Sequence, residues 1–166
     1  MTITHSPMGV VHLISSVIAM LLGAYMLWAE KGTPMHKKVG YTYCLSMLSV
    51  NITAFGIYHL WGRFGVFHGF ALLSLISLLS GMIPIMVRKN AKTIGLHLSF
   101  MYWSVIGLYC AFAAEVLVRV PISFLQGRLS AAVFTGTFVV MFLGTLGFKK
   151  FKEQWQQRFL KSLEAA

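Results

Sequence analysis

Charge is scarce in this chain, and acidic charge is scarcer still. Only 11% of the 166 residues are charged, and four acidic residues face 14 Lys and Arg. A water-soluble globule of this size needs far more polar surface, so the composition excludes that class. Cysteine is limited to Cys44 and Cys110. Placed on the helices described next, the two differ in depth by on the order of 15 Å, which argues against a disulfide between them. Also missing are a Ser-His-Asp order, a zincin motif, a glycine loop that could cradle phosphate, and any internal repeat. The corresponding hydrolase, metalloprotease, nucleotide-binding and solenoid readings therefore have no support.

What the chain has in quantity is apolar length, with 57% of its residues hydrophobic. Five runs stand out: Met8 to Trp28, Val39 to Leu60, Gly65 to Val87, Ile94 to Val118 and Leu129 to Phe148. A hydrocarbon core about 30 Å thick takes roughly 20 helical residues to span, and each run is of that order. The expected fold is all-α, an integral membrane bundle of five transmembrane helices forming one domain over residues 1–148. Ser6-Pro7 suits a helix cap followed by the first helical position. No Lys or Arg precedes the first run and no small-residue cleavage pattern follows it, so that run reads as a retained helix.

The basic residues alternate by loop. Lys31, Lys37 and Lys38 follow the first run, Arg88, Lys89 and Lys92 the third, and Lys149, Lys150, Lys152, Arg158 and Lys161 the fifth. The other side carries only Arg63 after the second run and Arg119 with Arg128 after the fourth. The positive-inside rule then puts the N-terminus outside and the C-terminus in the cytoplasm of an inner, plasma-membrane protein. Trp28 and Tyr41 fall near the inner surface, Tyr58 and Trp61 near the outer one. The net charge of +10 thus reflects topology and not nucleic-acid binding.

Residues 149–166 form a basic amphipathic tail, in which Phe148, Phe151, Trp155, Phe159 and Leu163 recur at helical spacing. Such a helix lies along anionic inner-leaflet lipids. Thr42, Ser46, Ser49, Thr53 and Gly56 step along one side of the second helix, and Gly65 and Gly69 form a small pair in the third. These read as packing surfaces between membrane helices. A homo-oligomer is left open.

Ionisable residues inside such spans are costly unless they pair or bind something. With the topology set, His12, His59, His68 and Glu115 come from four helices at nearly one level toward the outer face. Three imidazoles and a carboxylate suit zinc, iron or copper by ligand type. His5 could add a ligand from the N-terminus. A second, inner set holds His36, His97 and Arg88, for which helix capping and headgroup contact are the plain alternative. His97 and Glu115 are 18 positions apart, about five helical turns, and so share one face of the fourth helix with Met101, Ser104, Leu108 and Ala111.

His12, the stretch His36, Lys37, Gly40 and Tyr43, and the pair Arg88 and His97 resemble an uncharacterised family of bacterial integral membrane proteins, domain of unknown function 2306. The resemblance covers roughly residues 8 to 118; Leu98 stands where the family has a basic residue. It implies a polytopic membrane protein and carries no activity to transfer.

Two functions from different classes follow. One is a metal-binding membrane protein whose outer site uses His12, His59, His68 and Glu115, acting on a membrane-soluble substrate or on the ion itself. The other is a small b-type cytochrome in quinone-linked electron transfer, with haem between His12 and His68 or between His36 and His97. Against the second, no helix carries two histidines 13 to 14 residues apart, the spacing by which familiar four-helix cytochromes stack two haems. A structural or assembly subunit without a site is the third reading.

Overall fold

The computed structural model describes residues 6–57, 65–119 and 129–164. They form five helices and, among the described residues, no strand: α1 (Pro7–Trp28), α2 (Pro34–Phe55), α3 (Val66–Val87), α4 (Ala91–Arg119) and α5 (Leu129–Glu164). Four of them, α1, α3, α4 and α5, are long and apolar enough to cross a membrane.

Helix starts follow local chemistry. Ser6 Oγ accepts from Gly9 N at 3.1 Å and Thr33 Oγ1 from His36 N at 3.1 Å, each cap being followed by a proline at the first helical position. That second Thr-Pro pair begins α2 at Pro34 rather than at Val39, because a cap and a pre-set φ start a helix before its apolar run does. Asn90 and Thr93 cap α4 reciprocally, at 2.9 and 3.0 Å. Gly32, at φ 84°, supplies the left-handed residue between α1 and α2.

Helices α1 to α4 close into a ring, α1 packing on α2 and α4, and α3 on α2 and α4, while α5 lies on α4. Across the ring α2 faces α4, joined by a hydrogen bond of 2.9 Å between Tyr43 Oη and Ser104 Oγ. All four ring helices contribute to the core of Ala19, Tyr43, Met47, Leu78, Val105 and Leu108. Gly23 permits the close approach: a Cβ there would lie 3.2 Å from Tyr43 and from Val105. Large apolar side chains such as Leu21, Leu73, Phe134 and Phe138 face outward, the arrangement expected where lipid replaces water.

Helix α5 runs for 36 residues without a break, so residues after Phe148 continue the last apolar run instead of starting a separate helix. At 1.5 Å per residue it is about 54 Å long, well beyond a hydrocarbon core. Its later part packs on protein. Trp155 lies against Ile85, Ile94 and Leu98, and its ring centroid is 5.7 Å from that of Tyr102. The cause is direction: the C-terminal part of α5 meets the start of α4. Of the tail residues, the side chains of Phe159 and Leu163 lie outside the described set.

Candidate functional site

One end of the ring gathers Lys31, Lys37 and Lys89 from the α1–α2 connection, the first turn of α2 and the α3–α4 connection. There a cavity of about 350 Å³ opens between α2 and α4, with His36 and His97 in its wall. Both histidines are buried, and their ring centroids are 6.3 Å apart with planes crossed at 77°. His97 Nδ1 donates to the carbonyl oxygen of Gly81 at 2.9 Å. A carbonyl only accepts, so the proton sits on Nδ1 and a neutral ring keeps its lone pair on Nε2. Met82, Met86, Met101, Tyr102 and Trp155 supply apolar wall, and Tyr43 and Val105 also line the cavity.

Lys31 is only 5% exposed. Its Nζ donates to the carbonyl oxygens of Met26, Leu27 (3.4 Å) and Ala29 (3.0 Å) at the end of α1. It also lies 4.9 Å from the centre of the Trp155 ring. Burial, then the charge of Arg158, pushes its pKa down to about 8. Among the described residues no carboxylate forms an ion pair with Lys31, Lys37 or Lys89.

The structure thus brings together His36 and His97 of the inner set and leaves Arg88 apart. Arg88 is exposed and its backbone serves the helix ends, its N–H donating to Pro84 O at 3.0 Å and its carbonyl accepting from Thr93 Oγ1 at 2.6 Å. Lys31, Lys37 and Lys89 hold the position expected of it. Counting basic residues per loop used these lysines as topology markers, and nothing in that count says which of them turns inward.

At the opposite end, His12 on α1 is half-buried, with Nδ1 2.9 Å from Thr53 Oγ1. The Thr53 hydroxyl donates to Ser49 O at 2.7 Å, so it accepts from His12. Ser15 and Ser49 are joined at 2.9 Å. Ser49 and Thr53 therefore do bond across helices, while Thr42 and Ser46 donate to carbonyls of their own helix. His68 is buried on α3, its Nδ1 accepting from Gly65 N at 3.1 Å, which leaves the proton of a neutral ring on Nε2. Glu115 is half-buried on α4. His59 and His5 lie outside the described residues, as do Tyr58, Trp61, Arg63 and Arg128. Among the described residues no group of three or more His, Cys, Asp or Glu side chains is placed to hold a metal ion. Cys44 and Cys110 are free.

Long apolar helices with large apolar side chains turned outward around an apolar core define a helical membrane protein. The chain belongs to the family of predicted membrane proteins DUF2306, whose sequence pattern matches residues 9–151. No curated protein and no solved structure matches it.

Proposed function

We propose that the protein is a small b-type cytochrome of the inner membrane, holding haem between His36 and His97 and exchanging electrons with membrane quinone. In this reading the five helices cross the bilayer, with the N-terminus outside and the lysine-rich end in the cytoplasm, as the alternation of basic loops supports.

The observation that carries the reading is the spacing of the two rings. With an imidazole–metal bond of about 2.0 Å and about 1.1 Å from nitrogen to ring centre, two imidazoles on opposite sides of one metal have centroids about 6.2 Å apart. Two ligands of a tetrahedral ion would sit at about 5 Å. The 6.3 Å between the two ring centres supports one group held by both rings. The hydrogen bond from His97 Nδ1 to Gly81 orients that ring and leaves the lone pair of a neutral imidazole on Nε2, as backbone partners do for metal-bound histidines. His36 and His97 sit on helices that face each other across the ring, where bundles build cofactor sites.

Bound there, haem b supplies one-electron transfer. The chain's own residues do the rest. His36 and His97 would hold the group between them. Met82, Met86 and Met101 are flexible, polarisable walls able to adapt to a flat macrocycle and exclude water. Tyr43, bonded to Ser104 at 2.9 Å, adds to the wall. The outer set supports a metal centre less well, because a neutral His68 ring that accepts from Gly65 N on Nδ1 carries its proton on Nε2.

The test is expression with added 5-aminolaevulinate, purification in detergent, and a reduced-minus-oxidised spectrum. Wild type should show Soret and α bands that His36→Ala and His97→Ala remove and that His12→Ala and His68→Ala keep. A haem-free wild type, or bands surviving both inner substitutions, contradicts it.

A further inference from the structure

The cavity wall is apolar in its depth and cationic at its mouth. Lys31, Lys37 and Lys89 all line it, and among the described residues no carboxylate forms an ion pair with any of them. Lys31 is the decisive member, because an ammonium only 5% exposed stays buried at a cost unless an anion compensates it. Its present partners are backbone carbonyls, which carry partial charge only. Arg158 adds positive potential beside it.

A cavity with this polarity selects an amphipathic anion: a flat apolar body for the depth and acid groups for the mouth. Resting on the cytochrome reading, we propose that Lys31, Lys37 and Lys89 bind the two propionate carboxylates of the haem and fix its orientation, propionate edge toward the lysine-rich end and vinyl edge toward Tyr43 and Val105. Lys31 then changes partner. One of its protons leaves a carbonyl of the α1 terminus for a carboxylate oxygen, while Trp155 stays above the ammonium and covers it from water. Lys37 and Lys89, which are exposed, act as the outer, weaker pair.

The experiment is a titration of the haem-free full chain, in detergent, with haemin and with haemin dimethyl ester, followed by the Soret band. The ester keeps the iron and macrocycle and removes both negative charges. Wild type should bind the acid roughly ten- to a hundredfold more tightly than the ester, the range of one or two charge-assisted hydrogen bonds. The Lys37→Gln/Lys89→Gln variant leaves the α1 terminus intact and should narrow that preference; adding Lys31→Met should abolish it. Equal binding of acid and ester by wild type overturns the propionate site and leaves the cytochrome reading standing. An unchanged acid preference in the triple variant does the same. Failure of wild type to bind either compound overturns both.

Discussion

The Nδ1 proton of His97 is given to the carbonyl oxygen of Gly81, 2.9 Å away on the neighbouring helix. This one contact ties the ring of α4 to the backbone of α3 and fixes its neutral tautomer. His97→Gln can keep a hydrogen bond to Gly81 while losing the imidazole, so it separates packing from ligation. The expected outcome is a folded chain, as judged by far-ultraviolet circular dichroism and size-exclusion chromatography, that carries no haem. Haem retained at wild-type stoichiometry would count against ligation by His97.

Tyr43 and Ser104 test the packing of the same cavity. Their hydrogen bond of 2.9 Å is buried and joins facing helices. Tyr43→Phe removes one partner and leaves a small hydroxyl able to turn to its own helix, and should lower stability by about 1 kcal/mol. Ser104→Ala strands the Tyr43 hydroxyl and should lower it by about 1–3 kcal/mol. Thermal or denaturant unfolding of the two variants in one detergent checks the order.

Gly23 is the point of closest approach in the core. A methyl group there would sit 3.2 Å from both Tyr43 and Val105, so Gly23→Ala requires a shift of a few tenths of an ångström and Gly23→Val a larger one. Overpacking of this kind destabilises by about 1–3 kcal/mol. Gly23→Val should therefore unfold earlier than Gly23→Ala in the same assay, and Gly107→Ala, where no atom lies within 4 Å, should show no such loss.

Lys31 gives the protein a pH signature. Its folded pKa is about 8 against an ordinary 10.5. Between those values the unfolded chain binds more protons than the folded one, so stability rises with pH across that window. Below pH of about 8 the burial penalty is complete, and above about 10.5 it has gone. Unfolding temperature measured from neutral pH upward should rise in wild type and lose that slope in Lys31→Met. A slope unchanged by the substitution would show that another group sets it.

The helices were legible from the sequence because hydrocarbon-length apolar runs leave few alternatives. Ser6-Pro7 marked the start of α1. The equivalent Thr33-Pro34 signal was masked by His36, Lys37 and Lys38, whose polarity made the run look as if it began at Val39. The inward face of α4 was also legible, since His97, Ser104 and Leu108 are buried as their spacing required. Less of the site could be read. Depth alone placed His36 and His97 in the same half of the bundle, but their approach to 6.3 Å depends on the ring order, which puts α2 opposite α4. The inward turn of Lys31 depends on Gly32 and on carbonyls at the end of α1, and a count of charges per loop contains neither. Trp155 looked like a membrane anchor because its partners, Tyr102 and Leu98, come from another helix.

The central claim is that two imidazoles hold one iron from opposite sides, and electron paramagnetic resonance of the oxidised, purified protein tests it most directly. Two histidines with ring planes crossed at 77° should give a low-spin ferric haem with a strongly anisotropic, large-gmax signal. That signal should disappear in His36→Ala and in His97→Ala. A haem-free protein, a high-spin signal in wild type, or a low-spin signal that survives either substitution would contradict the account.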